Sequence, residues 1–128
     1  MMVHLADAGV KRGVGMEYAD AMLKALAFRK DRDWEQFHSA KDLAISINLE
    51  ASELLELFQW SGSSLEIDDA ATKKKAEEEL ADVVIYCIYL ADKLGVSIPD
   101  AVARKIDKNA SKYPVAKAKG SARKYTEL

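Results

Sequence analysis

Two carboxylate pairs carry the most specific chemistry in this sequence. Glu50-Ala51-Ser52-Glu53 and Glu79-Leu80-Ala81-Asp82 each set two acids three residues apart. On a helix that spacing puts both acids on one face. Two such helices, antiparallel and adjacent, bring four carboxylates together. An empty cluster of this kind repels itself. A hard divalent cation resolves the repulsion, and Mg²⁺ or Mn²⁺ prefers oxygen ligands. Spaced acids also arise freely on solvated helix faces, and Glu56, Glu77 and Glu78 belong to such faces. Context sets the two pairs apart. Glu50 and Glu53 lie among Ile47, Leu49, Leu54 and Leu57, and Glu79 and Asp82 lead into the apolar run VVIYCIYL. Carboxylates at the edge of a core need a partner. A di-iron bundle would need Glu-x-x-His on two helices. With only His4 and His38 in the chain, that set is rejected in favour of Mg²⁺.

A basic complement lies further along. Residues 50–82 hold ten acids against Lys73, Lys74 and Lys75, a net charge of −7. Residues 101–128 hold eight bases against Asp107 and Glu127, a net charge of +6. Lys105, Lys108, Asn109 and Lys112 follow the i, i+3, i+4, i+7 pattern and form one cationic stripe. Such a stripe is either a solvated face, an intrachain partner for the acids, or a grip on phosphate. Trp34, Phe37 and His38 sit in a polar stretch, and Trp60 closes the Glu50 segment. They read as lids on a core or as faces on which a base stacks. Tyr86 falls four residues after Asp82, on the same helical face.

The elements that must position these groups follow from periodicity. A first helix begins near Glu17, with Tyr18, Met22, Ala25, Leu26 and Phe28 on its apolar side. RKDRDWEQFH reads as a helix end and then a loop. Ser39 caps a second helix over residues 40–60. SGSS ends it, and residues 65–71 form an acidic loop. A third helix runs from Thr72 to Leu94, with Gly95 as its C-terminal stop. Ser97 and Pro99 open a fourth, which ends near Tyr113 before Pro114. Residues 114–128 read as an irregular basic tail. The predicted fold is all-α, a four-helix antiparallel bundle. The third helix is apolar nearly all round from Val83 to Leu90, so its burial in an oligomer is expected as well.

Composition narrows the classes. The 128 residues are 49% apolar and 31% charged, with two prolines, six glycines and a formal net charge of −2. That describes one globular domain and disfavours a uniformly basic binder of nucleic-acid polymers. Cys87, the single cysteine, excludes an internal disulfide framework and reads as a small buried hydrophobe. The longest apolar run is too short to span a bilayer, and no secretion signal is recognised at the start. A reduced, cytoplasmic setting is expected. Residues 1–15 read as a flexible extension before a domain over 16–128, with Met16 an alternative start.

DWEQFH at 33–38, EASELLELFQW at 50–60, EELADVVIY at 78–86 and KYTEL at 124–128 resemble the MazG-related all-α nucleoside triphosphate pyrophosphatases, and most of all their dCTP pyrophosphatase branch. The resemblance runs from about Phe28 to Leu128. It implies hydrolysis of a (deoxy)nucleoside triphosphate to monophosphate and pyrophosphate, Mg²⁺ dependence, and a homotetramer built as a dimer of dimers. It implies Glu50, Glu53, Glu79 and Asp82 as metal ligands. It implies the Trp34–His38 stretch and Trp60 as the base-recognition region, with Tyr86 as a substrate contact. Lys105, Asn109, Lys112 and Tyr113 match the stretch associated with phosphate. Where dCTP-type relatives carry a histidine on the first helix, this sequence has Ala25, which argues against strict dCTP selectivity. The alternatives are a pyrophosphohydrolase for another nucleotide, such as dUTP or a modified base, and a non-catalytic helical interaction module.

Overall fold

The computed structural model describes residues 15–62, 67 and 69–128, all of them helical or in turns. The expected extension over 1–15 lies outside the described residues save for Gly15, and most of the acidic loop lies outside them too. Four long helices account for most of the chain: α1 (Tyr18–Asp31), α2 (Ala40–Glu56), α3 (Ala70–Leu94) and α4 (Ile98–Lys112). A short 3-10 turn, Glu35–Phe37, links α1 to α2.

Local rules set most boundaries. The Ser39 hydroxyl accepts the Asp42 amide at 3.0 Å and caps α2, satisfying one of the donors a helix start leaves free. Asp69 does the same for α3, accepting the Ala71 amide at 3.0 Å and the Thr72 hydroxyl at 2.8 Å. Ser97 opens α4, with proline in its first turn. Gly95 ends α3 at φ +69°, a left-handed conformation that glycine adopts at little cost. The Val96 amide donates back to the Ala91 carbonyl at 2.9 Å, which closes that end.

Two boundaries differ from expectation. Helix α2 stops at Glu56 and not at Trp60. Bonds from Leu57, Phe58 and Gln59 to the carbonyls three residues back tighten Leu57–Trp60 into turns, because no left-handed stop occurs before Gly62 at φ +64°. Helix α1 ends at Asp31, inside the segment expected to end it, and its last turn buries Arg29. The tail is ordered. Pro114 starts a four-residue helix, α5 (Val115–Ala118), and Tyr125–Glu127 forms a 3-10 turn. There Tyr125 packs edge-on against Tyr113 at 5.8 Å, with the Lys112 ammonium 4.9 Å from its ring.

Helices α2 and α3 make the principal packing pair, and α1 lies against α3. Leu43, Ile88 and Tyr89 are the buried apolar centre, with Met22, Ala25, Leu26, Val84, Ile85 and Leu90 around it. Helix α4 packs only lightly on the others, with Ile98 reaching the core. Its Val102 and Ile106, one turn apart, stay exposed, as do Leu49 and Leu55 on α2 and Leu80 on α3. The expected burial of Val83–Leu90 is complete only at Ile88 and Tyr89, and Cys87 is a half-buried free thiol. Among the described residues no helix is long and apolar enough to cross a membrane.

Candidate functional site

The antiparallel pairing of α2 and α3 brings the acid pairs together. One oxygen from each of Glu50, Glu53 and Glu79 lies within 4.8 Å of the other two. Oε2 of Glu50 and Oε2 of Glu79 are buried and have no hydrogen-bond partner. Burial first, then the Glu53 charge, pushes the Glu50 carboxyl above the ordinary glutamate range, and Asp82 and Glu79 add to it. A hydrogen bond shared with Glu53, followed by burial and the charges of Glu53, Asp82 and Glu78, does the same at Glu79. Asp82 stands one turn beyond Glu79 on the same face of α3. An all-oxygen donor set, mutual repulsion and two unpartnered buried oxygens fit a hard divalent cation.

Asp82 also lines a pocket of about 580 Å³. Its wall is mostly apolar and aromatic. Trp34, His38, Tyr86 and Tyr89 line it together with Tyr18, Ala25 and Phe28 of α1, and Phe28 meets Trp34 edge-on at 5.7 Å. The His38 ring stacks on Tyr89, with centroids 5.5 Å apart and planes at 27°, and meets Tyr86 edge-on at 6.5 Å. The Tyr89 hydroxyl donates to the Ala25 carbonyl at 2.9 Å, tying α3 to α1. Burial and then the Arg29 charge hold the His38 imidazole below its ordinary value, against the opposing pull of Asp42 and Glu35. Both effects favour the uncharged ring.

The predicted residues divide into two groups in the protomer. Trp34, His38, Tyr86 and Asp82 share the pocket; Asp82 is not one of the three converging carboxylates but acts on Glu50 and Glu79 through its charge. Phe37 points outward and is exposed. Trp60 is 88% exposed and borders a separate recess of about 250 Å³ with Leu57, Phe58 and Thr72. Lys105, Asn109 and Lys112 remain on α4, with Tyr113 as its C-terminal cap, and none of them lines the pocket. Glu35 and His38 have the Glu-x-x-His spacing, but they fall in the 3-10 turn and Glu35 is held by Arg29 at 2.8 Å. They do not form half of a di-iron set. Two residues were missed in the sequence reading. Tyr89 is three residues after Tyr86, an aromatic pair on one helical face that marks it in retrospect. Arg29 sits among other charged residues, and nothing local distinguishes it.

Comparisons with known proteins show the family. The sequence matches the MazG-like family over residues 45–128. It is 43% identical over 104 residues to dCTP pyrophosphatase 1 of Mus musculus, covering 79% of this chain and 61% of that protein. The corresponding figure for dCTP pyrophosphatase 1 of Homo sapiens is 41%, with the same coverage. The chain thus spans about three fifths of the length of these curated relatives. The crystal structure of a pyrophosphatase from Archaeoglobus fulgidus superposes with a TM-score of 0.64 at 37% identity, covering 81% of this chain and 99% of that one. The chain belongs to the MazG-like family, on the branch that its likeness to the dCTP pyrophosphatases marks.

Proposed function

We propose that this protein is a nucleoside triphosphate pyrophosphatase. It converts a (deoxy)nucleoside triphosphate, with dCTP or a related or modified pyrimidine nucleotide favoured, to the monophosphate and pyrophosphate. The observation that carries this reading is the position of Asp82 between the acid triad and the pocket. This carboxylate lines the aromatic pocket, and its charge acts on Glu50 and Glu79 of the acid triad. A base in the pocket would therefore hold its phosphates beside the cluster. The likeness to pyrophosphatases supports the same chemistry.

Glu50, Glu53, Glu79 and Asp82 would hold the divalent cation, which we assign as Mg²⁺. When bound, it supplies charge neutralisation to the phosphates and to the departing pyrophosphate. The residues of the chain do the rest. Trp34, His38 and Tyr86 stack on and orient the base. Glu53, the exposed member of the triad, accepts a proton from the attacking water. The oxygen–phosphorus bond to that water forms as the bond between the α- and β-phosphates breaks. The lysines of α4, with Asn109 and Tyr113, take phosphate charge in the assembled protein. Ala25 leaves room on the α1 side of the pocket, which supports a preference broader than dCTP alone. Surplus or damaged nucleotides of the cytoplasm suit such an enzyme.

Pyrophosphate release from a panel of canonical and modified (d)NTPs, with Mg²⁺ and with EDTA, tests the reading. Metal-dependent release from one or a few pyrimidine nucleotides is expected. No release from any nucleotide by folded protein would overturn it.

The second element of the proposal is a homotetramer. Only three apolar residues of the described set are buried, while Leu23, Leu49, Leu55, Leu80, Val102 and Ile106 are each at least half exposed. A stable monomer rarely leaves so much apolar surface uncovered. Sedimentation should give about four times the 14.2 kDa chain mass. A monomer at micromolar concentration would rule the assembly out.

A further inference from the structure

We infer that Arg29 is the positioning residue of the pocket's aromatic wall: it clamps the Trp34–His38 turn to α3 and so sets where Trp34 and His38 meet the base. The inference rests on the reading of this pocket as the base site. Arg29 is 4% exposed, the one buried charged side chain among the described residues. A buried guanidinium is costly unless it is paired. Its Nη2 donates to Glu35 Oε1 at 2.8 Å and to Asp92 Oδ2 at 2.5 Å. Those two acceptors come from different elements, the 3-10 turn and the last turns of α3. The backbone repeats the connection, since the Trp34 amide donates to the Arg29 carbonyl at 3.2 Å.

The clamp continues into the pocket. The guanidinium carbon lies 5.0 Å from the centroid of the Tyr89 ring, within cation–π range. Tyr89 in turn carries the stacked His38 ring. One cation therefore fixes the turn that bears Trp34 and His38 and the ring against which His38 rests. Arg29 does not line the pocket, and none of its partners belongs to the acid cluster. Its removal should weaken substrate binding and leave the chemical step alone. Lysine keeps the charge but lacks the rigid guanidinium that holds Nη2 within reach of both carboxylates.

Arg29→Lys and Glu35→Gln in the full chain test this. In Arg29→Lys, KM for the nucleotide is expected to rise about tenfold, the scale of one charge-assisted contact, with kcat within about twofold. The Mg²⁺ concentration for half-maximal rate should not move. Glu35→Gln should shift KM the same way by less. A merely structural role would lower Tm without splitting KM from kcat. A second readout does not depend on turnover. Stacking on Tyr89 displaces the His38 ring-proton resonances upfield, and that displacement should shrink in both variants. His4 is the only other histidine, so the assignment is simple. Unchanged KM in both folded variants, or an unchanged His38 displacement, would overturn the inference. If the wild type turns over no nucleotide, the functional reading fails and the resonance still decides the positioning role. If Arg29→Lys does not fold, Glu35→Gln decides alone, because it leaves the buried Arg29–Asp92 pair intact.

Discussion

Glutamine at position 50 or 79 should stop turnover and, in metal-free protein, raise Tm. Both effects have the same origin. Glu50 and Glu79 are pressed against Glu53 and Asp82, and each has a buried oxygen with no partner. Without a cation, that arrangement costs stability. A carboxyl whose folded pKa lies above its unfolded value favours the fold while protonated, and that contribution is lost as pH rises through the folded value. Metal-free wild type should therefore weaken as pH rises from the ordinary glutamate range toward neutrality. Glu50→Gln and Glu79→Gln should flatten that slope. His38 runs the other way. Its depressed value means stability is lost as pH falls below the ordinary imidazole range. Because Mg²⁺ binds the native state, it should raise the Tm of wild type and not of the variants. Turnover should fall about a thousandfold or more, as for loss of a principal electrostatic contact to the transition state. Pyrophosphate release and thermal melts, each with Mg²⁺ and with EDTA, read all of this. A Gln variant with near-wild-type rate, or one that is less stable without metal, would remove the metal-site assignment.

Leu43→Ala should cost about 3–4 kcal/mol, the range for a leucine truncated in a tight core. Leu43 is the one fully enclosed side chain among the described residues. It packs with Ile88 and Tyr89, so the cavity would open where α2 meets α3. Native domains hold only about 5–15 kcal/mol in total. A core this small has little to spare, and urea or thermal unfolding should show a large drop. Activity in the folded fraction should fall as well, since Tyr89 supports His38. A loss under about 1 kcal/mol would mean that contacts between chains, and not this centre, hold the fold.

Local rules made much of this legible in the sequence. Ser39 and Ser97 cap helices and Gly95 stops one, because each acts through backbone groups two to four residues away. The convergence of Glu50, Glu53 and Glu79 was legible because the helical period places them, and their apolar neighbours set the pairs apart from the other acids. What depended on distant residues was not legible. Arg29 is buried because Asp92, 63 residues later, reaches it. No pattern in RKDRDWEQFH separates Arg29 from Lys30 or Arg32. The place of α4 was hidden for a related reason. Its period shows an apolar stripe but not which surface covers it. Phe37 and Trp60, paired with the pocket by likeness of residue type, stand outside it in the protomer. Residue type predicts stacking ability and not the direction a turn gives a side chain.

The turn that carries the pocket wall begins on Asp33, which holds φ at +51°, the only non-glycine with positive φ among the described residues. Gln36 Nε2 donates to both the Asp33 carbonyl and its Oδ2, at 3.0 and 2.9 Å. Aspartate, asparagine and glycine enter this left-handed region readily, and other side chains do so at a cost. Asparagine or glycine at position 33 should therefore be tolerated best. Asparagine keeps an acceptor for Gln36, whereas glycine gives it up for backbone ease. The pocket wall is thus anchored on a backbone position that few residue types can occupy without strain.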